Sequence, residues 1–165
     1  MIVIAAVDRN WAIGYQGHML VHLPEDLKHF RSLTMGKTII YGRKTLYTFP
    51  GQKPLPERKN IILSSDPEFH VEDALVVHSI EELLEQLPGN TEDAAVIGGG
   101  VVYHALLPYC DQAVITKIEN EYEADTWMDN LDEDPEWMCT ERGEDREYNG
   151  VIFRYDRYQR IKTNT

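Results

Sequence analysis

Ala94-Ala95-Val96-Ile97-Gly98-Gly99-Gly100-Val101-Val102-Tyr103 is an apolar run that breaks into three consecutive glycines and resumes as a helical pattern. Ala94–Ile97 is short, apolar and bounded by glycine, as a buried strand is, and the residues from Val101 to Leu107 form a helix ended by Pro108. Glycines without a Cβ let a ligand approach the backbone, and a helix start offers unbonded N–H groups to a phosphate. The stretch is not the dinucleotide fingerprint, because after Gly98 and Gly100 the third glycine position holds Tyr103. On its own it fits a phosphate cradle or a tight strand-to-helix turn. Either way, a strand passes directly into a helix.

The same alternation extends outward. Ile2–Val7, Thr38–Tyr41, Asn60–Leu63, Ala74–Val77 and Ala113–Ile118 read as further strands, and Glu136–Arg142 and Val151–Gln159 as two more near the C-terminus. Pro24 to Leu33 reads as a helix with acids in its first turn and Leu27, Phe30 and Leu33 on one face. Ser79-Ile80-Glu81-Glu82 is a capping-box-like start to another helix, closed by Pro88-Gly89. Strands alternating with helices predict an α/β fold, a three-layer sandwich with a central, mostly parallel eight-stranded sheet and helices on both faces. Asn149-Gly150, between the last two strands, predicts that the sheet ends in an antiparallel hairpin. No repeat or linker interrupts residues 1–165, so one domain is expected.

Composition narrows the function. Three Trp, nine Tyr and a 42% hydrophobic content exclude disorder as the main state. A net charge of −12 repels phosphate backbones and anionic lipid, so neither nucleic acid nor membrane is an expected partner. The charge is uneven, however. Lys37 to Lys59 carries six basic residues and one acid, whereas Glu119 to Glu147 carries thirteen acids and two arginines. A basic rim kept on an acidic protein suits a polyanionic small ligand. Cys110 and Cys139 form no CxxC motif, and the opening apolar run has no basic leader, so the expectation is a cytoplasmic protein with reduced thiols.

Other chemistries fail on spacing. Gly36-Lys37-Thr38 mimics the end of a P-loop, but the glycine required five residues earlier is Arg31. His18 and His22 precede Pro24, where a spacing of four aligns nothing, and there is no HExxH, so no metal is expected. No G-x-S-x-G frames a nucleophilic serine. Asp26 is the candidate acid. It opens an amphipathic helix beside Leu27 and Phe30, where apolar neighbours would make it hold its proton more tightly and pair with an amidine-like heterocycle. A solvent-facing acid at a helix start is the other reading open to it.

Together the pieces resemble the dihydrofolate reductases, and the likeness runs over nearly the whole chain. It is carried by Ile4-Ala5-Ala6, Ile13-Gly14, Leu23-Pro24-Glu25-Asp26-Leu27 with Phe30, Gly42-Arg43-Lys44-Thr45 and Pro54 to Asn60. It continues through Leu63-Ser64-Ser65, Ile97-Gly98-Gly99-Gly100 with Tyr103, Thr116, and Glu123-Ala124-Asp125-Thr126. The resemblance implies reduction of 7,8-dihydrofolate to tetrahydrofolate by hydride transfer from NADPH, with dihydrofolate and antifolates as small-molecule partners and a monomeric enzyme. On the substrate side it implies Asp26 as the ionisable residue of the pterin pocket, supported by Thr116. Ile4, Ala6, Leu27, Phe30, Thr48, Phe49 and Ile97 would line the slot, and Arg58 would fork onto the glutamate carboxylate.

On the cofactor side the resemblance places Gly98, Gly99, Gly100, Val101 and Val102 at the pyrophosphate, the first two glycines joined by a cis peptide. Arg43, Lys44, Thr45, Ser64 and Ser65 would surround the adenosine 2′-phosphate, with His78 near it. Ala6, Ile13, Gly14, Met19, Gly42, Leu63, Ile97, Tyr103 and Thr126 would also bind the cofactor, with residues 9 to 23 as a mobile loop over the nicotinamide. One stretch departs from the pattern. Where the family usually reads Leu-Pro-Trp, this chain has Met19-Leu20-Val21-His22, and valine has no indole N–H to hold a water. A related pterin or pyrimidine reductase and a binding protein without turnover share the pocket. The presence of both Asp26 and Arg58 favours the dihydrofolate reductase reading over the first of these.

Overall fold

All five residues of the strand Ala94–Gly98 are buried, as expected of a strand covered on both faces. The computed structural model describes residues 1–161, so the last four residues of the expected domain lie outside the described part. In chain order the elements are β1 (Ile2–Val7), β2 (Ala12–Gly14), α1 (Pro24–Thr34), β3 (Thr38–Gly42), α2 (Arg43–Leu46), β4 (Lys59–Leu63), β5 (Leu75–Val77) and α3 (Ile80–Gln86). They continue with β6 (Ala94–Gly98), α4 (Gly100–Leu106), β7 (Gln112–Ile118), β8 (Thr126–Trp127), β9 (Trp137–Glu141), β10 (Arg146–Tyr148) and β11 (Val151–Arg160).

The main sheet runs β10-β11-β7-β1-β6-β3-β4-β5, with β9 also on β11. Neighbours from β7 to β5 are parallel, and β11 is antiparallel to β7, β9 and β10. The period of two along each strand sorts the core into two layers. Val3, Ala5, Ile40, Ile61 and Val96 face α3 and α4, meeting Leu83, Val102 and Leu106. Ile4, Ile39, Ile62 and Ile97 face α1 and α2, meeting Phe30, Leu33 and Leu46. This is the expected three-layer sandwich.

The antiparallel end differs from expectation in one respect. The strand opposite β11 at the Asn149-Gly150 turn is β10, not the 136–142 segment, and Tyr148 pairs with Val151. Asn149 and Gly150 both have positive φ, the conformation that a two-residue hairpin of matching twist demands. Trp137–Glu141 pairs farther along β11, with Arg157–Arg160. Gly143 separates the two pieces. A Cβ there would run into the Tyr155 carbonyl, and its N–H turns to Asp156 Oδ1 at 3.1 Å. The eighth position in the sheet is therefore one edge strand broken in two.

Candidate active site

Asp26 enters the cleft from the first turn of α1. Pro24 sets the first helical φ, and the 3.6-residue repeat turns Asp26, Phe30 and Leu33 towards the sheet. Thr116, directly opposite Ala6 in the β1–β7 register, donates its hydroxyl to Asp26 Oδ1 at 2.6 Å. Burial pushes the Asp26 carboxyl above its ordinary value, and the Thr116 hydrogen bond opposes that shift. The inward-facing reading of Asp26 holds. Around it, Ile4, Ile97, Phe30 and Phe49 belong to one apolar cluster, and Ala6 borders a second with Val21 and Leu23.

The far end of α1 positions Arg58. Thr34 is fully buried, donates to the Phe30 carbonyl at 2.9 Å and accepts from Arg58 Nη1 at 3.1 Å. Asn60, buried at the start of β4, ties down the preceding loop by donating to the Leu55 and Arg58 carbonyls at 2.9 and 3.0 Å. Tyr41 in turn donates to Asn60 Oδ1 at 2.7 Å. Burial, and after it the charge of Arg31, lower the Arg58 pKa, yet a guanidinium stays protonated. Asp26 and Thr34 are eight positions apart on α1, a rise of roughly 12 Å, so the acid and the Thr34-bound arginine stand near opposite ends of the helix.

At the C-terminal end of β6, where it runs into α4, lies the glycine turn. The Gly98–Gly99 peptide is cis and Gly98 has φ 131°. A Cβ on Gly100 would sit 2.7 Å from the Trp127 carbonyl and 3.1 Å from Thr126 Cγ2, so β8 presses against this turn and only glycine fits. Thr45 Oγ1 lies 3.4 Å from where a Gly98 Cβ would be, and Val102 packs on Gly42. Tyr103, buried, donates to the Ile4 carbonyl at 2.7 Å and so fixes α4 to β1. Arg43 stands at the rim, donating to Tyr47 Oη at 2.7 Å and to Asp66 at 3.4 Å, with its guanidinium 4.3 Å from the Phe69 ring centre. Tyr47 is the largest influence in raising its pKa. His78 Nδ1 lies 2.9 Å from the Ser64 carbonyl.

A family model described as dihydrofolate reductase matches residues 1–160. The chain belongs to the dihydrofolate reductase family. The dihydrofolate reductase of Bacillus subtilis (strain 168) is 36% identical over 159 residues, 95% of this chain and 92% of that one. A Staphylococcus aureus dihydrofolate reductase is 38% identical over 126 residues, 76% of each chain. The structure of dihydrofolate reductase from Enterococcus faecalis, complexed with NADP(H) and RAB-propyl, superposes with a TM-score of 0.85 at 36% identity, covering 98% of this chain and 96% of that one. The family's activity, NADPH-dependent reduction of 7,8-dihydrofolate to tetrahydrofolate, is the activity of this chain.

The expected site residues of this dihydrofolate reductase family member differ in exposure and in the bonds they already make. Leu27 is 41% exposed and Val101 is 85% exposed. Thr48 spends its hydroxyl on the Thr45 carbonyl at 2.7 Å. Met19 is exposed, and Ser64 is buried while Ser65 is exposed. Ile13 Cδ1 lies 3.8 Å from the ideal Gly100 Cβ, and Gly14 pairs with Thr126 across β2–β8. Leu63 packs into the core on the α3–α4 side. Val21, at the departure from the family pattern, packs with Leu23, Ile118 and Phe153.

The 9–23 segment is tied down by acids that sequence reasoning passed over. Asp8, 1% exposed, accepts from the Asn10 and Ala12 N–H groups at 2.8 and 3.0 Å and from Tyr122 N–H at 3.0 Å. Asp125 accepts from Gln16 N–H at 2.9 Å and Glu123 from Tyr15 Oη at 3.0 Å. Asp8 followed by Asn10 at the end of an apolar strand is an Asx-turn signal that marks the first anchor. The partners at 122 to 125 are more than a hundred residues away and leave no local trace. Among the described residues, no group of three or more His, Cys, Asp or Glu could hold a metal, and no helix is long and apolar enough to cross a membrane.

Proposed function

We propose that Asp26 is the group through which this chain promotes protonation of dihydrofolate at N5, with Thr116 fixing the carboxylate and the pterin amide edge pairing with it. The observation that carries this reading is the 2.6 Å Thr116–Asp26 hydrogen bond in a largely apolar slot. A proton at N5 leaves the adjacent carbon electron-poor and ready for hydride. Asp26 suits the task because burial makes its proton harder to lose, bringing its acidity nearer the working pH. Ile4, Phe30, Phe49 and Ile97 exclude water from the pterin, and Leu27 and Thr48 border the slot mouth. Arg58, held by Thr34 and the Pro56 carbonyl, turns its remaining donors to the glutamate carboxylate.

The Gly98–Gly100 turn fits a dinucleotide at Gly99, where an added Cβ would meet only Thr45 Oγ1 at 3.8 Å, so the backbone there is open to a ligand. NADPH, when bound there, supplies the hydride. Arg43, Lys44, Thr45, Ser65 and His78 would receive the 2′-phosphate, and Ala6, Ile13, Gly14, Met19, Ile97 and Thr126 would border the nicotinamide side. Arg43 is already oriented by Tyr47, Asp66 and Phe69, so little side-chain freedom remains to be lost on binding. A monomer working in the cytoplasm completes the reading; the two free cysteines fit a reducing compartment.

Steady-state oxidation of NADPH and of NADH with dihydrofolate, with tetrahydrofolate identified as product, is the test. NADPH should win by about a hundredfold or more in kcat/KM, since several donors here, Arg43 and Lys44 among them, would together meet a 2′-phosphate that NADH lacks. Comparable values for the two cofactors would remove Arg43 and Lys44 from the site.

A further inference from the structure

Behind Asp26, between α1 and β11, lies a set of polar groups that these roles leave unused. Tyr155 pairs with Thr116 across the β7–β11 ladder, so the two side chains share the sheet face that α1 covers. On that face the Thr116 hydroxyl already reaches Asp26. His29, one helical turn after Asp26, stacks on the Tyr155 ring with centroids 3.8 Å apart and planes 17° from parallel. Arg146 of β10 lies over the same ring at 5.0 Å and pairs with Glu25. Tyr155 and Tyr122 pack in one cluster with Val21, Leu23 and Ala6, the last a residue of the proposed substrate slot.

Three atoms here, Tyr155 Oη, Tyr122 Oη and His29 Nε2, are shut off from solvent and have no protein partner. A buried polar group left unpaired is destabilising, and a bridging water is the ordinary way to satisfy it. The Asp26 carboxylate, next to the Thr116–Tyr155 pair, is the strong acceptor at hand. We propose that Tyr155 is a positioning residue for Asp26, its hydroxyl adding through a bridging water a second donor to the carboxylate that Thr116 holds. His29, stacked on the ring, fixes where that hydroxyl points.

The charges around the group are consistent with this geometry. Tyr155 faces Glu25, Asp26 and His29 from α1 and Arg146 from β10, and Tyr103 of α4 feels Asp26 as well. Burial first, then the Asp26 charge, push the Tyr155 hydroxyl up to about 12, so it is a donor throughout the working range. Burial, then Arg157 and Arg146, lower the His29 pKa, so the imidazole is neutral at pH 7.

The test is a titration of the Asp26 carboxyl by 13C NMR in ligand-free protein, its signal assigned by its loss in Asp26→Asn. Tyr155→Phe removes one oxygen and keeps the stack. Losing a donor to the charged form favours the protonated form, so the Asp26 midpoint should rise by about half a pH unit to one pH unit, a threefold to tenfold change in proton affinity. His29→Phe keeps an aromatic stack and should leave the midpoint nearly unmoved. A Tyr155→Phe protein with a lower Tm but an unchanged Asp26 midpoint would show that the tyrosine only packs, and would overturn the proposal. A shift of equal size in His29→Phe would give the role to the imidazole and overturn it too. The titration needs neither substrate nor cofactor, so its failure is distinct from a failure of the proposed catalytic roles on which its interest rests.

Discussion

The two sides of the cleft are built on opposite principles. On the proposed substrate side one carboxylate, Asp26, is set among apolar residues and bonded by a single hydroxyl. On the proposed cofactor side Arg43 stands at an exposed rim, 44% accessible, with its guanidinium shared among Tyr47, Asp66 and Phe69. Burial gives a lone charge leverage, because its environment sets its acidity and water cannot screen it. An exposed cation is screened and acts through number and geometry instead. The substrate side should therefore respond steeply to single changes, and the cofactor side more gently and with a strong dependence on salt.

Asp26→Asn should break that asymmetry most severely. The amide still accepts from Thr116 but delivers no proton, so turnover at pH 7 should fall by about a hundredfold to a thousandfold while dihydrofolate binding is largely kept. Pre-steady-state hydride transfer and a binding titration separate the two effects. Near-normal turnover would assign the proton to another group. Gly100→Ala comes next. Its methyl would meet the Trp127 carbonyl, and overpacking of this kind costs about 1–3 kcal/mol, which should appear both in NADPH affinity and in Tm. An unchanged NADPH affinity would show that the turn yields without cost.

Arg58→Lys keeps the charge but loses the fork, so KM for dihydrofolate should rise about tenfold with kcat little changed. Titration of a substrate analogue lacking the glutamate should show no difference between the two proteins. The smallest effect belongs to the rim. Arg43→Ala should weaken NADPH binding several-fold at low salt and less at high salt, as expected of a screened cation. A salt-independent loss would mean that Arg43 is desolvated and that the contrast between the two sides is overstated.

Stability sharpens the same contrast. Asp26 has its folded pKa above its unfolded value, so the folded state binds more protons between the two. Stability is thus lost as pH rises through that window and stays lower above it. Asp26→Asn removes the penalty and should melt higher than wild type at neutral pH while being nearly inactive.

Legibility in the sequence followed burial. The strands β1, β3, β4, β6 and β7 are apolar because both faces are covered, and such runs announce themselves. β10 is Arg146-Glu147-Tyr148, exposed at every position, so no pattern marks it and only its hairpin turn was readable. β2 and β8, three and two residues long, exist by pairing with each other across the chain. Within the site, the Gly98–Gly100 turn and Asp26 were visible as residue types in context. The direction Asp26 faces, and the company of Tyr155 and His29, come from β11 folding back beside β7, which no local spacing encodes.

The most direct test of the central claim, that Asp26 controls the proton, is the pH dependence of hydride transfer from NADPH to dihydrofolate in wild type and Asp26→Asn. The rate in wild type should fall as pH rises past the point where the bound substrate keeps its proton. The variant should be far slower at neutral pH and draw towards wild type in acid, where dihydrofolate arrives already protonated. A ratio between the two that stays constant from acid to alkaline pH would contradict the account.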